Sequence, residues 1–134
     1  MKIGVMQPYF LPYIGYWQLI KEVDSFVVYD DIKYTKKGWI NRNRFLLNNK
    51  AETFSIALKN DSDFLQIKDR FLATSFCRKS LLNKIREPYR KAPYFSETEI
   101  LLEKIVLNEQ SNLFNYILNS IKIICETLDI KTND

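Results

Sequence analysis

The first thirty residues combine two short apolar runs with one segment of helical period. Lys2–Met6 is apolar throughout its second half and predicts a buried first strand. Tyr9–Ile14 contains a turn-forming proline and predicts a loop, whereas Gly15–Val23 repeats apolar residues at helical spacing. Phe26–Tyr29 is rich in β-branched and aromatic residues, which are typical of strands, and it predicts a second strand. This order predicts a βαβ unit with parallel strands.

The middle of the chain carries the pattern of a small hairpin. Phe45–Leu47 and Thr53–Leu58 are apolar segments, and the turn-forming run Asn48-Asn49-Lys50 lies next to the first of them. Phe64–Leu72 mixes apolar and charged residues, and we expect a further strand there.

The last sixty residues have helical spacing. Phe76–Glu87 predicts a helix that ends at the following proline, and Ser96–Leu107 predicts a second helix opened by a capping box between Ser96 and Glu99. Ser111 is expected to cap a last helix with a continuous apolar face. The fold class is therefore α/β: an opening βαβ unit with parallel strands, a small hairpin and a mainly helical C-terminal part, in a single domain over residues 1–134.

Composition excludes several classes of chemistry. The chain has no histidine, which removes histidine-dependent triads, HExxH zinc sites and imidazole acid–base catalysis. Two cysteines lie far apart, and no apolar stretch is long enough for a signal peptide or a membrane span. These features predict a cytoplasmic protein. A net charge of +4 favours anionic ligands without indicating nucleic acid.

The loop after the first strand is the first candidate for ligand binding. Two prolines stiffen it, a glycine allows close approach of the backbone, and four aromatic residues surround Gln7. In a βαβ unit this loop lies at the carboxyl end of a strand, where open α/β sheets bind ligands. The alternative is an aromatic core wrapped around a tight turn. The candidate binding residues are Gln7, Pro8, Tyr9, Pro12, Gly15 and Tyr16.

Two further segments carry charged candidates. Asp30 and Asp31 end the second strand and could bind a metal or act as a general base, although aspartate also initiates turns. Residues 32–44 hold five cations in thirteen residues and no acid. Within them, Arg42 between Asn41 and Asn43 suits a phosphate or carboxylate, while a solvated charged face is the alternative.

Four motifs in order resemble the WbqC-like protein family, found in bacterial O-antigen gene clusters. They are QPYFLPYIGYW, FVVYDDIKY, GWINRNRF and YRKAPYF, and together they extend over nearly the whole chain. Lys33 and Ala57 depart from the family, which usually has glutamine and proline there. Relatives continue past Asp134, so the resemblance implies that a C-terminal part is missing here.

The resemblance implies a group transferase in O-antigen or cell-surface polysaccharide biosynthesis, with glycine or aminoacyl transfer as the suggested reaction. Asp30, Asp31 and Arg42 are the expected catalytic residues, and Lys33 joins the loop residues, Asn41 and Asn43 in binding substrate. The expected partner is a phosphate-bearing small molecule: a nucleotide, a nucleotide-sugar or an aminoacyl donor such as charged tRNA. A nucleotide and a divalent cation are the expected cofactors, and the metal ligands are left open.

A more distant likeness connects the first loop to the HIGH-type nucleotidylyltransferases. Tyr13-Ile14-Gly15-Tyr16 would stand in place of the His-x-Gly-His turn that holds nucleotide phosphates. Tyrosine can donate a hydrogen bond but carries no positive charge at neutral pH. The alternative function is therefore a nucleotidylyltransferase-like protein or a non-catalytic module that binds a nucleotide or sugar phosphate.

Overall fold

The opening βαβ unit is confirmed by a computed structural model that describes residues 1–36 and 38–133. Strand β1 (Ile3–Met6) and strand β2 (Ser25–Val28) pair in parallel, and helix α1 (Ile14–Glu22) connects them. The carboxyl ends of both strands therefore lie side by side, with Met6 opposite Val28. Lys37, one of the cations in the basic segment, lies outside the described residues.

Close contact between α1 and the strands sets the shape of this unit. Gly4 is buried in β1, and a Cβ there would lie 3.0 Å from the Phe26 ring, so a larger residue would require that ring to shift. Tyr16 and Ile20 form the buried face of α1. The Tyr16 hydroxyl donates a hydrogen bond to the carbonyl oxygen of Gln7 at 2.8 Å, which ties the helix to the end of β1.

The predicted hairpin is also confirmed, although both of its strands begin three residues earlier than expected. Strand β3 (Arg42–Leu47) pairs in antiparallel fashion with strand β4 (Lys50–Ser55). Asn48 and Asn49 form a two-residue turn with φ angles of 52° and 62°. Two positive φ angles are what a type I′ turn requires, and asparagine tolerates them better than most residues.

The strand expected over Phe64–Leu72 is wrong. The segment contains a 3-10 turn at Ile67–Asp69, flanked by isolated bridges rather than by a ladder. Its burial does not alternate, because Phe64 is 82% exposed whereas Ile67 and Arg70 are both buried. The Ile67 amide donates to the carbonyl oxygen of Ile32, so this segment is held against the chain that leaves β2.

The three C-terminal helices are α2 (Arg78–Arg86), α3 (Phe95–Val106) and α4 (Leu113–Thr127). Both predicted caps are wrong. A left-handed backbone at Tyr94 starts α3 early, so Ser96 lies inside its first turn and Glu99 pairs with Arg86 instead. Asn112 rather than Ser111 caps α4, because its side-chain oxygen accepts the Asn115 amide at 3.1 Å.

The first loop is anchored in the centre of the core. Phe10 is fully buried, and its ring lies 5.6 Å from that of Tyr116 on α4 and 6.2 Å from that of Phe54 on β4. The loop thus contacts both the hairpin and the last helix through one aromatic side chain. This leaves its neighbours Tyr9, Leu11 and Pro12 only partly buried.

Replacing Tyr16 with phenylalanine tests the link between α1 and β1. The change removes one hydroxyl and leaves the buried Gln7 carbonyl without its partner, so we expect the free energy of unfolding to fall by about 1–3 kcal/mol. Urea denaturation at neutral pH measures this. Tyr13→Phe is the matched control, because that side chain is exposed and its loss of a hydroxyl should change stability by less than about 0.5 kcal/mol. Equal effects of the two changes would contradict the role of the hydrogen bond.

Candidate functional site

A cleft of about 400 Å³ opens where the end of β1, the first loop and the start of β3 meet. This volume lies in the range of small-molecule sites in proteins. We call it the aromatic cleft, because three of its seven lining residues carry large aromatic rings. Its lining residues are Met6, Tyr9, Pro12, Tyr13, Trp39, Asn43 and Arg44.

One side chain joins the two walls of the aromatic cleft. The Asn43 amide nitrogen donates to the carbonyl oxygens of Phe10 at 3.2 Å and Leu11 at 2.5 Å. Its amide oxygen accepts the backbone N–H of Arg44 at 2.8 Å. Leu11 has a φ of 51°, a left-handed conformation that is uncommon for leucine and that these contacts help to hold. Asn43 therefore fixes the loop on the hairpin.

Trp39 carries positively charged side chains at one wall of the aromatic cleft. The indole is 40% exposed, and the guanidinium carbons of Arg42 and Arg44 each lie 4.9 Å from its ring. Such stacking is a favourable cation–π geometry. Arg44 lines the open cavity, where its planar guanidinium can form bidentate contacts with a phosphate or carboxylate. Arg42 shares the contact with Trp39 but is not among the described lining residues.

The opposite wall consists of tyrosine side chains with neutral hydroxyl groups. Burial raises the pKa of Tyr9 above its ordinary value, and the nearby phenol groups of Tyr29 and Tyr13 raise it further. At neutral pH the Tyr9 hydroxyl is thus available as a hydrogen-bond donor. Gly15 allows the Tyr13 ring to lie against the backbone of α1, since a Cβ at position 15 would come within 2.5 Å of that ring.

Among the predicted binding residues, Tyr9, Pro12 and Asn43 line the aromatic cleft. Pro8 is buried, and the Tyr16 hydroxyl is occupied by the Gln7 carbonyl oxygen. Pro8 and Tyr16 therefore stabilise the first loop without lining the aromatic cleft. The lining of the aromatic cleft includes no side chain of Gln7, Pro8, Gly15 or Tyr16 among the described residues.

The Asn41 side chain forms hydrogen bonds in the protein interior instead of lining the aromatic cleft. Its side chain is buried, its amide nitrogen donates to the Ile56 carbonyl oxygen at 2.9 Å, and its oxygen accepts the Tyr34 hydroxyl at 2.7 Å. Asn41 therefore positions the start of β3. Asn43 lies two residues later and lines the aromatic cleft instead.

The two predicted carboxylates are not among the described residues that line the aromatic cleft. The Tyr29 amide donates to the carbonyl oxygen of cleft-lining Met6 at 3.3 Å, so Asp30 follows directly after that contact. Asp30 is half-buried and Asp31 is exposed. Lys33 is exposed as well, and its ammonium nitrogen lies 4.8 Å from the Phe64 ring centroid. Over residues 1–36 and 38–133, no group of three or more acidic or cysteine side chains is arranged to hold a metal.

Met6, Tyr13, Trp39 and Arg44 line the aromatic cleft, although none of them is among the residues predicted to bind substrate. Trp39 had the clearest signal in the sequence, because it is a large aromatic residue inside a basic segment. Arg44 shares that segment with Arg42. The spacing of residues in the sequence does not reveal which face of the hairpin the first loop covers.

Comparison with known proteins gives two matches. The profile of the WbqC-like protein family matches residues 7–133, which is nearly the whole chain. The uncharacterized protein Rv1507c of Mycobacterium tuberculosis is 31% identical over 133 residues. The match covers 98% of this chain and 58% of the mycobacterial protein. No solved structure matches the chain. None of the described helices is both long and apolar enough to cross a membrane.

Asn43→Asp tests whether this side chain holds the aromatic cleft together. The carboxylate keeps the shape of the amide but has no N–H to donate, so it would face two carbonyl oxygens. We expect the free energy of unfolding to fall by about 1–3 kcal/mol in urea denaturation. Asn83→Asp on the exposed face of α2 introduces the same charge and should cost less than about 0.5 kcal/mol. Similar losses for both variants would refute the role of Asn43 as the link between loop and hairpin.

Proposed function

The chain belongs to the WbqC-like protein family, and on that premise we propose that it is a group transferase whose aromatic cleft binds a phosphate-bearing donor. The observation that carries this proposal is the Trp39 ring with two guanidinium groups beside it, facing tyrosines across a cavity of about 400 Å³. This combination suits a ligand that is planar or ring-shaped at one end and anionic at the other.

Each part of such a donor has a matching group in the aromatic cleft. A base or sugar ring can stack on the exposed face of Trp39 or Tyr13. Arg44, which lines the cleft, can bind phosphate oxygens with two parallel N–H donors, and Arg42 adds positive charge next to the indole. Positive groups fixed before the reaction stabilise the charge that builds up on a phosphate leaving group.

The reaction we propose is transfer of a glycyl, other aminoacyl or sugar group from an activated donor to an acceptor of O-antigen or other cell-surface polysaccharide synthesis. Asp30 is the better placed of the two candidate bases, because it is half-buried and follows the contact between Tyr29 and Met6. It would accept the proton of the acceptor amine or hydroxyl as the new bond forms. With a nucleotide-activated donor, the leaving phosphate would stay on the guanidinium groups, with any divalent cation carried by the donor's own phosphates. With charged tRNA, the leaving group is the ribose oxygen, which would take up the proton that Asp30 accepted.

The alternative function is a non-catalytic module that binds a nucleotide or a sugar phosphate. One observation favours it: among the described residues, the lining of the aromatic cleft contains no carboxylate. The likeness to nucleotidylyltransferases is weaker, since the Tyr16 side chain is buried and only Tyr13 of that turn reaches the cleft.

Arginine-to-lysine changes test the binding site directly. Lysine keeps the charge of Arg44 but loses the planar donor pair, so the Kd of a bound nucleotide or nucleotide-sugar should rise about 5- to 150-fold, equivalent to about 1–3 kcal/mol. Arg42→Lys is expected to act in the same direction. Isothermal titration after a thermal-shift screen of nucleotides, nucleotide-sugars and aminoacyl donors provides the measurement. Arg90→Lys, in an exposed ion pair with Glu87, is the control and should leave the Kd unchanged.

Two outcomes would contradict the proposal. Unchanged binding by Arg42→Lys and Arg44→Lys would exclude the aromatic cleft as the phosphate site. A melting-temperature loss as large as the binding loss would make the arginines structural. Asp30→Asn then separates the two functions: a transferase should lose turnover while it keeps donor affinity, whereas a binding module should have no turnover to lose.

A further inference from the structure

A second cleft lies on the other side of the Trp39–Asn43 segment. It has a volume of about 250 Å³, and we call it the Arg70 cleft. Asn41 lines this cleft, whereas Trp39 and Asn43 line the aromatic cleft, so one short segment separates the two. The lining residues that matter here are Tyr34, Lys36, Asn41, Lys59, Asp61 and Arg70.

Arg70 is a buried cation with an incomplete set of partners. Its side chain is only 4% exposed. One terminal nitrogen donates to the Ser62 carbonyl oxygen at 2.9 Å, and the guanidinium carbon lies 5.0 Å from the Tyr34 ring centroid. The Nε atom is buried and has no hydrogen-bond partner. Within the described part of the chain, no carboxylate forms an ion pair with this guanidinium.

The polar neighbours of Arg70 form hydrogen bonds with other groups rather than with its Nε atom. The Tyr34 hydroxyl donates to the side-chain oxygen of Asn41, and the Asn41 amide nitrogen donates to the Ile56 carbonyl oxygen. A buried charge without a partner is costly, and native proteins rarely keep one unless it serves a ligand. Arg70 therefore has a buried N–H donor without an acceptor, on a positively charged side chain that lines a polar cavity.

Further positive charge surrounds the mouth of the Arg70 cleft. Lys36 and Lys59 are exposed lining residues, and Asp61 is the acid among the described lining residues. Lys36 also pairs with Asp63 at 2.8 Å outside the lining. The hydrogen bond and charge of Lys36 lower the pKa of Asp63, and the charges of Arg70 and Lys33 lower it further. The balance of charge in and around the cleft is positive.

We propose that the Arg70 cleft is a separate binding site for a phosphate group. The guanidinium of Arg70, which lines the cleft, would donate to one phosphate oxygen, and Lys36 and Lys59 would neutralise the remaining charge at the mouth. Inorganic phosphate and a small phosphate monoester share this chemistry, and either can supply the group. The proposal is independent of the aromatic cleft, because the two clefts have no lining residue in common.

The test is phosphate binding by the whole chain at constant ionic strength. Inorganic phosphate and glycerol 3-phosphate are titrated separately by isothermal calorimetry and thermal shift, with chloride as the control anion. We expect a saturable rise in melting temperature with at least one of them, which also identifies the source of the group. Arg70→Met should weaken binding about tenfold or more, the size of one lost charge-assisted hydrogen bond.

Variants of exposed lysines test the proposal even if the Arg70→Met protein does not fold. Lys59→Met should weaken phosphate binding several-fold without lowering stability, and Lys104→Met on the exposed face of α3 should leave it unchanged. Arg44→Lys, in the aromatic cleft, should also leave it unchanged. The proposal is overturned by no saturable response to either phosphate, or by a phosphate affinity that Arg70→Met or Lys59→Met leaves unchanged. It is equally overturned if Arg44→Lys abolishes the response.

Discussion

The aromatic cleft depends on the two hydrogen bonds that Asn43 donates to the first loop. They join residues 33 and 32 positions apart in the chain, and no other side chain of the hairpin donates to that loop in the described structure. A backbone hydrogen bond from Phe10 to Ile40 supports the same junction. With the loop held there, Tyr9 and Trp39 face a common cavity. Without it, they would belong to two unconnected surfaces.

The same segment that closes the aromatic cleft also borders the Arg70 cleft. Ile40 is buried, and Asn41 is locked by Tyr34 and Ile56, so the backbone between Trp39 and Asn43 cannot move freely. One cleft is lined by aromatic rings and a guanidinium, and the other by buried Arg70 and exposed lysines. A rigid segment between two clefts that are lined by positively charged side chains is suited to hold two anionic groups at a fixed separation.

Sequence periodicity predicted the regular elements well because their signals are local. Short apolar runs identify β1 and β2, a helical period identifies α1, and the Asn48-Asn49 pair identifies the hairpin turn. The strand predicted around Ile67 is wrong because the burial of this segment is set by contacts with the chain near Ile32. No local periodicity in the sequence encodes those contacts. The capping box failed for a similar reason: a left-handed Tyr94 shifted the start of α3.

The site was only partly predictable. Tyr9, Pro12 and Asn43 carried signals in the motifs, but Asn41 has the same side chain as Asn43 two positions away and is buried among backbone partners. Composition cannot separate these two asparagines, since only the packing of the loop decides which one faces the cavity. Arg70 gave no signal at all, because its importance lies in the absence of an ion pair to it in the described fold.

Chemical-shift mapping tests most directly whether the aromatic cleft binds a ligand. The chain has two tryptophans, so the indole N–H signals of Trp17 and Trp39 can be assigned from one substitution. On titration with a nucleotide-sugar, the Trp39 indole and the Asn43 side-chain amide should shift together along one saturable curve, while the amide of Asn83 on α2 stays fixed. Shifts confined to other regions, or no saturable shift with any nucleotide, nucleotide-sugar or aminoacyl donor, would contradict the account.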